Sequence, residues 1–127
     1  IGQRLALWRR YYEALKGVED DGFCRRPYCP PHCEHNGHIF YLLAPAPEVR
    51  ERWLASFRAA GINAPFHYVP LHSAPAGLRF GRTAGSLEVT DSVSSCLVRL
   101  PLHLHLSQSQ QDFIIEQTIA IVSARSK

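Results

Sequence analysis

Apolar residues recur at steps of three and four over the first sixteen positions. Ile1, Leu5, Trp8, Tyr12 and Leu15 fall on one side, and Arg4, Arg9, Glu13 and Lys16 on the other. That spacing predicts an amphipathic helix over residues 1–16, stopped at Gly17. Asp20-Asp21-Gly22 then opens a segment that runs through Pro27, Pro30 and Pro31 to about Asn36. Proline withholds backbone donors, so this stretch reads as a surface loop. The apolar run His38–Leu43 has strand length and is expected to be largely buried, closed by Pro45 and Pro47. Pro47 suits the first turn of a second helix and Glu48 suits its positive end. Val49, Trp53, Leu54, Phe57 and Ala60 supply its inward side up to Gly61.

Ala64–Val69 reads as a second strand, held to an edge or a strand start by Pro65. Residues 73–89 carry Gly77, Gly81 and Gly85 with little periodicity and read as a long loop. Thr90 is placed to cap a short helix to about Leu97, and Val98–Leu102 follows as a third strand broken by Pro101. Ser107 with Gln110 three residues on is a capping-box pattern. It opens a final helix with Ile114, Ile115, Thr118, Ile119 and Val122 as its buried stripe. This order predicts an α+β fold: a small antiparallel or mixed sheet of about three strands covered by helices, in one domain over residues 1–127.

Composition narrows the function classes. A chain of 127 residues with 46% apolar and 20% charged residues is ordinary globular material for a single core. No apolar run approaches the roughly 20 residues that span a bilayer, and no signal peptide is expected where Ile1-Gly2-Gln3-Arg4 enters a helical pattern directly. Fourteen basic residues against eleven acidic ones give a net charge of +3. The basic residues are mostly arginine and scattered, as on solvated faces, and no basic stripe interleaved with aromatics suggests a nucleic-acid module. Methionine is absent and the chain enters a helix at once, so a fragment of a longer protein is expected.

Two clusters carry candidate chemistry. Cys24, Cys29, Cys33 and His35 crowd into one loop with His32 and His38. A structural zinc site wants four ligands, usually as two separated pairs, and the second pair is missing here. Reduced cysteines partly buried under the loop are therefore the expectation. A stand-alone zinc-binding or ligand-binding module using Cys24, Cys29, Cys33 and His35 is the alternative. The second cluster is His67-Tyr68-Val69-Pro70-Leu71-His72 at the end of the second expected strand. Strand alternation turns Phe66 and Tyr68 one way and His67 and Val69 the other, until Pro70 ends the regularity.

That run, with His35-Asn36-Gly37-His38-Ile39-Phe40-Tyr41 upstream and Arg99-Leu100-Pro101-Leu102 downstream, resembles the C-terminal part of bacterial sugar-nucleotide aminotransferases of the DegT type. Leu102-His103-Leu104-His105 departs from the aromatic-rich run of that family. The resemblance implies the small C-terminal domain of a larger enzyme dependent on pyridoxal 5'-phosphate (PLP). Such an enzyme moves an amino group from glutamate to a TDP-4-keto-6-deoxyhexose, in the cytoplasm and as a homodimer. It further implies that Tyr68, His72 and His67, in that order, contact the nucleotide-sugar. Asn36 and His38 would orient their loop. PLP would be held by a large domain outside this chain, because neither Lys16 nor Lys127 looks like a cofactor-bearing lysine. Trp8 and Tyr12 are expected to be left partly bare where that large domain is missing, or to be covered by another copy of the chain.

Overall fold

A computed structural model describes residues 2–124. Ile1 and Lys127 lie outside the described residues. Six helices and two strands follow in the order α1 (Gly2–Ala14), α2 (Lys16–Asp20), β1 (Phe40–Leu43), α3 (Pro47–Ala59), α4 (Pro75–Phe80), α5 (Glu88–Cys96), β2 (Leu97–Leu100) and α6 (Gln108–Ser123). The fold is α+β as expected, and its sheet has two antiparallel strands. Phe40 pairs with Leu100, Tyr41 with Arg99, Leu42 with Val98 and Leu43 with Leu97. Period-two alternation sends Phe40, Leu42, Val98 and Leu100 into the core. Tyr11 and Leu15 of the first helical segment, Trp53 and Phe57 of α3, and Ile114, Ile115 and Val122 of α6 close over them.

Helix ends follow local chemistry. Pro47 begins α3. Gly61, at φ +73°, ends it: Gly61 N–H donates to Arg58 O and Ile62 N–H to Phe57 O, the paired bonds of a Schellman cap. Ser107 and Gln110 form the full capping box of α6.

The first helix departs from expectation. It breaks at Leu15, but Gly17 lies inside α2, and the stop falls at Gly22. There Gly22 N–H donates to Glu19 O and Phe23 N–H to Val18 O. Burial of Leu15 and Val18 carries the chain past Gly17.

The buried tyrosine of α1 is Tyr11, not Tyr12. Its hydroxyl donates to Pro101 O at 2.9 Å, and burial pushes its phenol pKa well up. Tyr12 is half-buried, sandwiched between the Trp8 ring at 5.0 Å and the Arg26 guanidinium at 4.0 Å. Trp8 is not left bare: it is 7% exposed, covered by Tyr12, His35 and Phe40, and its Nε1–H donates to Ile39 O at 3.0 Å. The final stripe holds at Ile114, Ile115, Thr118 and Val122, whereas Ile119 is exposed. Gln111 joins that stripe, its amide donating to Leu7 O at 2.7 Å and tying α6 to α1.

The largest difference lies between α3 and β2. Ala64–Val69 is not a strand. It runs beside β2 with one backbone bond, Arg99 N–H to Pro65 O at 2.9 Å. Pro65 and Pro70 supply no N–H for a ladder, so pairing stops there. The expected loop 73–89 contains α4 and the first two residues of α5. Leu78, Phe80 and Val89 on them are 70%, 79% and 79% exposed, so no buried stripe marks these helices in the sequence.

Candidate functional site

The segment that carries His67, Tyr68 and His72 is anchored at both ends. After the Gly61 cap, Ile62 and Ala64 are buried, which pins the chain to the edge of β2. At the far end Ser73 and Ala74 N–H groups both donate to Pro70 O, forming a tight turn. α4 packs on that turn so closely that a Cβ at Gly77 would overlap the Leu71 carbonyl. Glycine is required there.

Between the anchors the side chains turn outward. Phe66, Tyr68, Val69 and Leu71 are all exposed, so the expected alternation of Tyr68 against Val69 does not hold beyond Tyr68. His67 is half-buried and its ring touches that of Tyr68, with centroids 4.6 Å apart. The sequence-adjacent pair therefore shares one surface. Arg99 reaches the same place from β2, its guanidinium 5.9 Å from the Tyr68 ring centre. Burial, and then the charge of Arg99, holds the His67 imidazole below the usual histidine pKa, so it is neutral at pH 7. His67 Nδ1 is buried without a hydrogen-bond partner. His72 is directed differently: its Nε2 meets Asp91 Oδ1 of α5 at 2.8 Å, which leaves one ring nitrogen for another partner.

The arrangement is thus a neutral imidazole and a phenol in contact, a cation beside them, and a second imidazole oriented by a carboxylate. Such groups bind and orient polar, phosphate-bearing ligands. Sequence reasoning missed two members, Arg99 and Asp91. A single charge inside the otherwise apolar Leu97-Val98-Arg99-Leu100 run was the available signal for the first, and Asp91 gave none.

The alternative zinc set is not brought together. Cys24 is buried in the core, where burial pushes its thiol up to about 12, helped by Glu19. Cys29 Sγ rests 3.5 Å from Cys33 O, and Cys33 is exposed. His35 Nδ1 accepts from Gly37 N–H at 2.9 Å while its ring packs against Trp8. Among the described residues no three His, Cys, Asp or Glu side chains gather around a metal-sized space. Asn36 does orient its loop, its Oδ1 accepting from His38 N–H at 3.0 Å, but the His38 side chain is exposed.

A covalent site for PLP needs a desolvated lysine. Lys16, the one lysine described, is exposed on α2 and paired with Asp20. It does not fit that role. No helix among the described residues is long and apolar enough to cross a membrane.

With this geometry in hand, known proteins place the chain. The sequence model of the DegT/DnrJ/EryC1/StrS aminotransferase family matches residues 1–118. The erythromycin biosynthesis sensory transduction protein EryC1 of Saccharopolyspora erythraea is 29% identical over 114 residues, 89% of this chain and 30% of that protein. A DegT/DnrJ/EryC1/StrS aminotransferase from Brucella abortus superposes with a TM-score of 0.78 at 28% identity, over 97% of this chain and 31% of that one. DesV of S. venezuelae, solved in complex with a ketimine intermediate, gives 0.80 at 26% identity, over 98% and 32%. The chain spans about a third of the length of these relatives. It belongs to the DegT/DnrJ/EryC1/StrS aminotransferase family.

Proposed function

We propose that this chain is the C-terminal domain of a PLP-dependent nucleotide-sugar aminotransferase and supplies the sugar-facing wall of its cleft. The observation that carries the reading is the His67–His72 segment. The family resemblance ranks it as substrate-binding, and it is held rigidly at both ends while Tyr68 is presented 72% exposed. The run His72-Ser73-Ala74-Pro75-Ala76-Gly77 favours one relative in particular, dTDP-4-amino-4,6-dideoxygalactose transaminase. The reaction proposed is amino transfer from glutamate to a TDP-4-keto-6-deoxyhexose, in cytoplasmic synthesis of a cell-surface polysaccharide such as enterobacterial common antigen.

In this reading PLP is held by the large domain outside the chain and supplies the electron sink for amino transfer. The residues described here bind and orient. Tyr68 offers a ring face and a hydroxyl without bringing a charge. His67, neutral, accepts or donates one hydrogen bond. His72 presents the nitrogen that Asp91 leaves free. The exposed Phe66, Val69, Leu71, Leu78 and Phe80 fit a face covered by the large domain or by the second subunit of a homodimer.

The test is amino transfer by the enzyme that contains this chain, with glutamate and TDP-4-keto-6-deoxyglucose, followed by mass spectrometry of the aminated sugar. Turnover that falls in Tyr68→Ala while glutamate alone still converts the cofactor supports the reading. Turnover unchanged in Tyr68→Ala and His72→Ala contradicts it.

A further inference from the structure

The loop between α2 and β1 holds two thiols that the proposed function leaves idle. The loop is anchored at both ends. Upstream, Arg25 N–H donates to Leu43 O at 3.0 Å, Leu43 N–H donates to Arg25 O at 2.9 Å, and Pro27 is buried. Downstream, the His35 ring packs on Trp8 with centroids 4.0 Å apart. Gly37, at φ +62°, lies so close to α1 that a Cβ would come within 3.2 Å of the Leu5 side chain. The tip between these anchors is Cys29-Pro30-Pro31-His32-Cys33. Cys33 N–H donates to Pro30 O at 2.9 Å, which folds the chain back on itself. Cys29 Sγ then rests 3.5 Å from Cys33 O. Cys33 is exposed and Cys29 partly covered, whereas Cys24 is buried in the core.

We infer that Cys29 and Cys33 are a reversible dithiol–disulfide pair that exchanges with low-molecular-weight disulfides such as oxidised glutathione. A hydrogen-bonded turn holds its ends within about 7 Å, the range that a disulfide spans, and Cys29 adjoins the first residue of this one. Pro30 and Pro31 fix φ in the bridged and the open chain alike, so closing the ring orders little more backbone. Exposed Cys33 is the point of entry. Its thiolate attacks one sulfur of the small disulfide, forming a mixed disulfide and expelling one glutathione, which takes up the proton that Cys33 gave up. The Cys29 thiolate then attacks the Cys33 sulfur. The bond from Cys33 to glutathione breaks, and the second glutathione leaves with the Cys29 proton. The pair thus gives up two electrons and two protons, and the small disulfide is reduced to two thiols. Both anchors lie outside the five-residue ring, so the bridge closes at the tip and leaves Trp8 and β1 in place. The inference uses no residue of the His67–His72 segment and stands apart from the aminotransferase reading.

Treating the folded, reduced chain with oxidised glutathione tests it. The reaction is stopped with acid, remaining thiols are alkylated, and intact mass is read beside a peptide map. The wild-type chain should become lighter by two hydrogen atoms, keep no glutathione at the tip, and show a bridge between Cys29 and Cys33. Excess reduced glutathione should restore both thiols. Cys29→Ser removes the second step, so Cys33 should retain glutathione as a stable mixed disulfide. Cys33→Ser removes the point of entry, and partly covered Cys29 should then take up glutathione about tenfold more slowly than Cys33 does in Cys29→Ser. Circular dichroism checks that both variants keep the fold, and the wild-type map decides the pairing whether or not they do. Glutathione retained on Cys29 and Cys33 separately overturns the inference, as does a bridge that uses Cys24 or Cys96, or no reaction at the tip. Equal rates in the two folded variants overturn the assignment of Cys33 as the point of entry. None of these results depends on amino transfer, so they leave the proposed function to its own test.

Discussion

His72 Nε2 and Asp91 Oδ1 meet at 2.8 Å across nineteen positions of chain, joining the turn after Pro70 to α5. The carboxylate is about half exposed while the imidazole is mostly covered. A side-chain pair in that partly exposed setting contributes little to stability, ~0.2–1 kcal/mol. Asp91→Asn should therefore leave the urea midpoint nearly unchanged while freeing the His72 ring, seen as a change in its imidazole NMR signals. A large loss of stability would mean that the pair holds the arm in place, not only the ring.

Tyr11→Phe should cost more than the same change at its half-buried neighbour Tyr12. Its hydroxyl donates to Pro101 O from a ring that is fully buried, so the change removes the donor and leaves the carbonyl short of a partner. A loss of ~0.5–1.5 kcal/mol is expected in chemical denaturation. Tyr12→Phe, half-buried, should fall well below that. Equal effects would contradict the assignment of Tyr11 as the core tyrosine.

The contrast between these two tyrosines shows where the sequence stops being informative. Adjacent residues on a helix differ by about 100°, and a three-and-four stripe accommodates either. Only a partner ninety positions away decides that Tyr11 is the buried one. Features written in a few neighbouring residues were legible: Pro47 and Gly61 around α3, Ser107 with Gln110 at α6, and Phe40 and Leu42 in β1. The segment after Gly61 was half legible. Its composition suits a strand, yet Pro65 and Pro70 leave it one backbone bond. α4 was invisible because its apolar side chains face outward. In the candidate site, His67, Tyr68 and His72 stood out by their density. Arg99 and Asp91 came into place only through tertiary contact.

His67 offers a pH signature. Its imidazole is held below the ordinary value, first by burial and then by Arg99. In the unfolded chain the same group takes up a proton at higher pH, so the unfolded state binds more protons between the two values. Stability should therefore fall as pH drops from about 6.5, the unfolded histidine value, toward the lower folded one. NMR titration of His67 should give a depressed pKa, and Arg99→Gln should raise it part of the way, since burial remains. A folded pKa at or above the ordinary value would contradict the burial of this ring.

Lys16 should not serve as a cofactor lysine. It is exposed and paired with Asp20, so it lacks the desolvated setting that activates a lysine. Adding PLP to this chain should give no stoichiometric, site-specific absorbance change above that of Lys16→Arg. A stoichiometric adduct on Lys16 would contradict the division of labour proposed here.

The central claim is that Tyr68 faces the sugar substrate in the intact enzyme, and single-turnover rates of the two half-reactions test it most directly. Tyr68→Phe keeps the ring and removes one hydroxyl, a loss of ~0.5–1.5 kcal/mol, or more if a phosphate oxygen is the partner. The account predicts that this loss falls on the sugar half-reaction while glutamate converts the cofactor at a near-normal rate, with an unchanged melting temperature. Tyr68→Ala should widen the gap, because the stacking surface goes as well. Equal losses in both half-reactions, with a lowered melting temperature, would show that Tyr68 supports the fold and that the sugar binds elsewhere.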